Sequence, residues 1–358
     1  MKVIHVIWSF GHGGIENILL NIINMSENSR IRYYLLIINS DLEKKILAQI
    51  NPKKCCVITL GRQRGSKSLT TLYKMMKLTG YIKPDVIHHH MHDSIALTYL
   101  SKYIFRHLNF LTFHFVPRPQ DRLIYLKYFD HVISISNVVY ETIKSLTSFR
   151  VKGHSVVYNG VQSYDQNLSH QPDEKSITVC CIGRLNHKQK GQHHLIRAIK
   201  ILDEKYNKIV NLWLVGDGQS KDLLMNIATD NQVLSRTTFW GSKTQSEILS
   251  LMKEVDIIVQ PSIEEGFGLS AIEGISFNKP LILSNILAFK EIVFPGNYPI
   301  FFQVGNENSL AQKINQSIDD ILKESWDSTC RLYNLEKYGK YSITKTIEGY
   351  DKLYHLYR

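Results

Sequence analysis

The chain has 358 residues, 44% hydrophobic and 21% charged, which excludes wholesale disorder and supplies core enough for two domains of about 150 residues each. Its 43 Lys and Arg against 32 Asp and Glu leave a formal charge of +11 and a pI near 9.2. No apolar run approaches the roughly 18 residues a membrane crossing needs, and the N-terminus lacks the charged, apolar and small-residue zones of a secretory signal, so the sequence predicts a cytoplasmic protein.

In chain order, short β-branched and aliphatic runs predict strands over 2–8, 33–38, 56–60, 85–89, 109–113, 131–136 and 155–158. Helical patterns separate several of them. Leu69, Leu72, Tyr73, Met76 and Gly80 recur at i, i+3, i+4 and i+7, with Lys67, Lys74 and Lys77 around them, and are expected to form a helix's buried stripe. Residues 162–176 are polar and structure-poor, the composition of an interdomain linker. A second series of strands follows over 177–182, 210–215, 237–240, 256–260 and 280–284. Ser342 can cap a last helix with Ile343, Ile347, Tyr350, Tyr354 and Tyr357 along one face. Alternating strands and helices imply α/β architecture with parallel sheets. The domains expected are 1–161 and 177–335, followed by a helical segment over 336–358, with ligands at the carboxyl ends of the strands.

The five cysteines fall as Cys55-Cys56, Cys180-Cys181 and Cys330, without C-x-x-C spacing. They are read as small buried packing residues. The charge is unevenly spread: residues 1–165 hold 21 Lys and Arg against 10 Asp and Glu, and the remainder is neutral. Such asymmetry suits either a polyanionic partner or a solvated face that aids solubility.

Three motifs carry candidate chemistry. G-H-G-G-I-E at 11–16 follows the first strand and precedes a helical pattern. Glycines there serve a tight turn or let backbone N–H groups approach a phosphate, but Glu16 stands where a dinucleotide fingerprint needs its third glycine. G-R-L-N-H-K-Q-K-G at 183–191 leaves the first strand of the second series. Arg184 and Lys190 on that loop can converge on a diphosphate or remain a solvated basic loop. The most specific is P-S-I-E-E-G-F-G-L-S-A-I-E at 261–273. A helix starting near Gly268 would put Glu265 in the loop and Glu273 about a turn and a half inside, two acceptors for hydroxyls on different parts of one ligand.

These residues resemble the retaining GT-B glycosyltransferases of glycosyltransferase family 4, marked by E-x7-E. Here the pair is Glu265 and Glu273, framed by E-G-F-G-L and N-K-P-L-I. The resemblance extends along the chain through G-G-I-E at 13–16, D-V-I-H at 85–88, T-F-H at 112–114, Y-N-G-V at 158–161, G-R-L with K-x-K-G, L-V-G-D-G at 214–218 and F-W-G at 239–241. It departs from the family at Asn278, where glycine is usual, and in lacking a glycine-rich turn over 284–289.

The resemblance implies two Rossmann-like doubly wound domains facing a cleft, with the C-terminal helix crossing back to the first. It also implies roles. Glu265 is expected to hold donor-sugar hydroxyls with the backbone N–H groups of Phe267, Gly268 and Leu269, and Glu273 to accept from the ribose. Arg184 and Lys190 bind the diphosphate, Gly13 and Gly14 close over it, and His114 lies beside the donor sugar. Val215 to Gly218 and Trp240-Gly241 border the nucleobase. With no D-x-D in the chain, no metal or other cofactor is expected, and the cations take the metal's place. The run His88-His89-His90-Met91-His92-Asp93 has no zinc-site spacing and is read as structural or acceptor-side, with Asp93 near acceptor hydroxyls.

The function implied is retaining transfer from a nucleotide-diphosphate sugar, UDP-sugar in first rank, to a glycan or lipid-linked oligosaccharide in surface polysaccharide (capsule or lipopolysaccharide) synthesis. An anionic membrane surface is the partner for the basic first domain at the inner face of the cell membrane. A GT-B UDP-sugar epimerase is the enzymatic alternative. A basic nucleic-acid-binding protein is the alternative from another class, and it leaves the acidic pair unexplained, so no nucleic acid is expected.

Overall fold

The computed structural model describes residues 1–11, 13–28, 30–66, 69–162, 176–277, 279–293, 300–323 and 339–357. Residues 163–175 of the expected linker, Lys67, Asn278, Cys330 and residues 336–338 of the last segment lie outside them. The chain divides into two compact units, Met1–Gln162 with Ser342–Arg358, and Ser163–Tyr341.

In the first unit β1 (Lys2–Ile7), β2 (Arg32–Asn39), β3 (Cys55–Arg62), β4 (Val86–His89), β5 (Leu108–Phe113), β6 (His131–Ser134) and β7 (His154–Val156) form one sheet. Its order is β3-β2-β1-β4-β5-β6-β7 and every neighbouring pair is parallel. Continuous apolar runs suit strands covered on both faces: in β2, Tyr33 to Asn39 are all buried. Ile4, Val6, Leu36, Ile38, Met75 and Ile87 share one core. Edge strand β3 is mostly open to solvent instead, with only Cys55 and Leu60 buried, which leaves Cys56 exposed, whereas Cys55, Cys180 and Cys181 are buried as expected.

The second unit holds β8 (Thr178–Ile182), β9 (Asn211–Val215), β10 (Thr237–Gly241), β11 (Ile257–Gln260), β12 (Leu281–Ser284) and β13 (Ile300–Phe302). They are parallel in the order β10-β9-β8-β11-β12-β13. Strand β13, three residues at the sheet edge, is too short to leave a periodic signal and has no counterpart among the expected strands. The core packs Val179, Leu212, Ile257 and Ile282 against Leu195, Ile199 and Leu202 of the helix Gln192–Tyr206 and Leu310 and Ile314 of the helix Glu307–Leu322.

The chain rejoins the first unit at Ser342, which bridges to Val161; Ile343 N donates to Val161 O at 2.9 Å. Ser342 caps the helix Ile343–Leu356 by accepting from Lys345 N. Ile343, Ile347, Tyr350 and Tyr354 are buried on that helix, and Thr346 and Leu353 join them.

One expected face is corrected. The helix Leu69–Ile82 buries Thr71, Met75, Thr79 and Ile82, not the stripe from Leu69 to Gly80. Leu69 and Tyr73 are 80% and 68% exposed. The cause is close packing on both sides. Thr79 turns its hydroxyl back to Met75 O at 2.8 Å and is buried, and at Gly80 an added Cβ would stand 2.9 Å from the Phe105 ring, so small side chains set which face docks.

Candidate functional site

In the second unit β8 and β11 are neighbours, but the chain leaves β8 toward β9 and returns to β11 from the other side. The loops after these strands therefore part at their carboxyl ends, the topological switch point where doubly wound sheets bind ligands. The first loop carries Arg184 and Lys190, the second Glu265. Ile263 N and Glu264 N both donate to Gln189 O, at 2.8 and 3.2 Å, and tie the loops together. Gly191 makes this approach possible: its φ is +67°, and a Cβ would lie 2.0 Å from Pro261 O.

The result is a charged constellation. Lys190 Nζ lies 2.5 Å from Glu265 Oε1, which also accepts from Ser262 Oγ at 2.9 Å. The Glu265 side chain is only 8% exposed. Ser262 is held in turn by Ser284, whose hydroxyl donates to its carbonyl. Arg184 is exposed and its guanidinium has no hydrogen bond or ion pair among the described residues, so of the two cations expected to converge, Lys190 is engaged by Glu265 and Arg184 is not.

The remaining expected donor residues follow in order. Phe267 is buried, its ring 5.6 Å from that of Tyr341, so the ring is a packing group. Gly268, at φ +94°, precedes the helix Leu269–Ser276; a Cβ there would meet the Phe289 ring at 2.5 Å. Glu273 stands in the second turn, partly exposed, and desolvation pushes its pKa up to about 7. At the end of β9, Gly216 and Gly218 face the carbonyls of Gly183 and Leu185 closely enough that Cβ atoms would fall at 2.1 and 2.5 Å. Trp240 packs edge-on to Trp213 at 5.1 Å, and its buried Nε1 has no hydrogen-bond partner among the described residues.

The first unit has its own switch point, between β1 and β4. Gly13 precedes the helix Gly14–Met25, and a Cβ on it would lie 2.2 Å from Glu16 Oε2, so the glycine makes room for the carboxylate at the helix start. Trp8 Nε1 donates to Asp93 Oδ1 at 2.6 Å, and Arg62 lies 4.9 Å from the Trp8 ring centroid. His114, just beyond β5, shares a hydrogen bond through Nε2 with His90 Nδ1 at 3.0 Å. His90 Nε2 reaches His5 Nδ1 at 2.9 Å.

Burial lowers the pKa of His5 and of His114 to about 3 and that of His88 and His90 well below the usual histidine value, so all four rings are neutral near pH 7. His5, His88 and His90 bring nitrogens within 4.8 Å of one another. His88 Nδ1 bonds Tyr354 OH at 2.5 Å and its Nε2 bonds Thr112 Oγ1 at 2.7 Å. With both nitrogens of His88 and of His90 engaged, these rings serve a hydrogen-bonded core.

Ser262, Trp8 and His5 are site neighbours absent from the sequence-derived set. Only His5 left a signal, a lone polar residue in the apolar run of β1.

Residues 165–331 match the family model described as Glycosyl transferases group 1. That stretch runs through all six strands of the second sheet. An uncharacterized glycosyltransferase of Methanocaldococcus jannaschii is 33% identical over 166 residues, covering 46% of this chain and 44% of its own. The chain spans about half the length of the curated relatives that match first. An uncharacterized 41.2 kDa protein of the Klebsiella pneumoniae cps region is 24% identical over the full length of both chains. Among solved structures, Anabaena HepE in complex with UDP-glucose aligns over 99% of both chains with a TM-score of 0.81 at 20% identity. The fold is that of the GT-B glycosyltransferases, with two parallel Rossmann-like sheets.

Proposed function

We propose that the chain is a retaining glycosyltransferase of the E-x7-E type, moving a sugar from a nucleotide-diphosphate donor to a glycan or lipid-linked acceptor. The observation that carries this reading is the joining of Lys190, Glu265 and Ser262 across two loops at a switch point, with the exposed Arg184 on the same loop as Lys190. The family match over 165–331 and the fold shared with a UDP-glucose complex support it. Arg184 meets the diphosphate by its planar fork. Lys190 stabilises the charge that grows on the leaving phosphate while holding Glu265 toward the sugar hydroxyls. Glu273 accepts from the ribose, and His114 meets the donor sugar. The C1–O bond to phosphate breaks as the acceptor oxygen bonds C1 on the same face. The acceptor proton passes to a phosphate oxygen, and the nucleoside diphosphate leaves. No side chain is needed as base, and no metal takes part.

UDP-sugar is the donor favoured, by likeness to the UDP-glucose-bound neighbour. A role in surface polysaccharide synthesis rests on the full-length likeness to the cps-region protein. A thermal-shift panel of UDP-, GDP-, ADP- and dTDP-sugars tests the donor: one nucleotide class raises the melting temperature of the native chain and fails to do so in Arg184→Ala. A panel without any shift would refute the reading.

The first unit acts at an anionic membrane, on this reading. Helix Tyr99–Phe105 exposes Leu100, Tyr103 and Ile104, while the helix Leu69–Ile82 packed against it exposes Leu69 and Tyr73. Lys74, Lys77, Lys83 and Arg106 are exposed on the same elements and their flanks. Among the described residues no helix is long and apolar enough to cross a membrane. Apolar side chains among cations suit a surface-lying contact with anionic lipid. Cosedimentation with anionic liposomes, reduced about fivefold by each charge reversal at Lys74 or Lys77 and weak on neutral liposomes, is the expected outcome; equal binding to both lipid types would contradict it.

A further inference from the structure

His5, His90 and His114 form an unbranched chain of ring-to-ring hydrogen bonds running from the sealed core of the first sheet to the end of β5. A neutral imidazole carries one N–H and one lone pair, so two successive N···N bonds in such a chain must point the same way. Only two arrangements exist. In one, His5 Nδ1–H donates to His90 and His90 Nδ1–H to His114, leaving His5 Nε2 a bare lone pair and His114 with its proton on Nδ1. In the other every proton shifts to the opposite nitrogen, and His5 Nε2 becomes an N–H.

The buried end decides between them. His5 is fully buried and its Nε2 has no hydrogen-bond partner among the described residues. An orphaned N–H is the rarer defect in protein interiors and an unpaired acceptor the better tolerated. A third state, with a charged ring, is opposed by the burial that depresses all three pKa values. At the outer end His114 is half-buried. Among the described residues its Nδ1 has no hydrogen bond, and it is not among the nitrogens sealed from solvent.

We propose that His5 and His90 are positioning residues that lock His114 in the tautomer protonated on Nδ1, so that this N–H is the donor it presents to an oxygen of the bound sugar nucleotide. The proposal rests on the transferase reading for its ligand; the tautomer itself does not. Through this lock a buried residue on β1 governs a group that meets substrate after β5. It also makes His114 a fixed neutral donor, which suits a reaction that needs no side-chain base.

The test is 15N NMR of the histidine-labelled full chain at pH 7, with the His114 resonances assigned by their loss in His114→Asn. The expected spectrum has a protonated Nδ1 and a bare, pyridine-type Nε2 on His114; the reverse tautomer, or a fast-exchanging mixture, would overturn the proposal. His5→Phe removes the origin of the chain and should convert His114 to a mixture. His90→Gln, whose amide oxygen accepts from His5 and whose amide nitrogen donates to His114, should retain the native tautomer. Donor turnover in His5→Phe should fall about tenfold in kcat with KM unchanged, the loss of one aligned hydrogen bond; an unchanged kcat would overturn the positioning role. Absence of turnover in the native chain counts against the transferase reading, while the NMR of that same chain decides the tautomer.

Discussion

Gly191 shows how one residue without a side chain can hold a charged site together. A Cβ there would strike a backbone oxygen at 2.0 Å, and backbone has little room to give. Gly191→Ala should part the loops bearing Lys190 and Glu265, costing roughly 2–4 kcal/mol in urea unfolding and at least 100-fold in donor turnover. An alanine variant of native stability and rate would show that the loops need not touch. Glu273 makes a pH-dependent prediction. Its raised pKa means that the folded chain binds a proton between pH 4.5 and 7 that the unfolded chain does not, so this residue's contribution to stability declines as pH rises through that window. Glu273→Gln should therefore melt higher than the native chain at pH 8, by no more than about 3 kcal/mol for a partly exposed group, and the difference should shrink toward pH 5. The acidic pair and the basic loop were legible because each belongs to a contiguous motif. Ser262, Trp8 and His5 were not, because their roles arise from pairings of strands and loops far apart in sequence, which periodicity does not encode.

At the scale of elements, the positions of every strand but β13 follow from apolar runs, since most of these parallel strands are covered on both faces and have no polar side to confuse the pattern. Helix Leu69–Ile82 shows where that logic fails. Its apolar stripe was read as a core face, but the packed row is Thr71, Met75 and Thr79, and the larger residues Leu69 and Tyr73 face outward. Close approach selected for small side chains, and hydrophobicity alone cannot report it. The Y-N-G-V motif acquires a physical reason here: at Gly160 a Cβ would lie 2.2 Å from Ser342 O, where the returning chain crosses. Gly160→Ala should loosen the helix Ile343–Leu356, with faster amide exchange across it and a stability loss of about 2 kcal/mol or more. Native exchange rates in that helix would show that the crossing tolerates a side chain.

For the whole molecule, the uneven charge sharpens once the unit boundaries are known. The first unit, with its returning helix, holds 24 Lys and Arg against 11 Asp and Glu, a surplus of 13, and the second is slightly acidic. The first unit also concentrates neutral histidines of lowered pKa: His5, His88, His89 and His90, all buried, the half-buried His114, and His107, His131 and His154 as well. Each takes up a proton near pH 6.5 when unfolded but not until far lower pH when folded, so stability is present above pH 6.5 and lost as pH falls below it. A fully buried one contributes about 1.4 kcal/mol per pH unit. Calorimetry from pH 7 to pH 5 should move a first-unit transition downward well ahead of a second-unit one; two transitions shifting together would contradict this assignment.

The central claim, transfer from a nucleotide sugar by Arg184, Lys190 and Glu265, is tested most directly by nucleoside-diphosphate release from UDP-sugar by the purified chain in the presence of a chelator. The account predicts release in the native protein, at least 100-fold slower in Lys190→Ala and in Glu265→Ala. No release from the native protein, or the native rate in both variants, would contradict it.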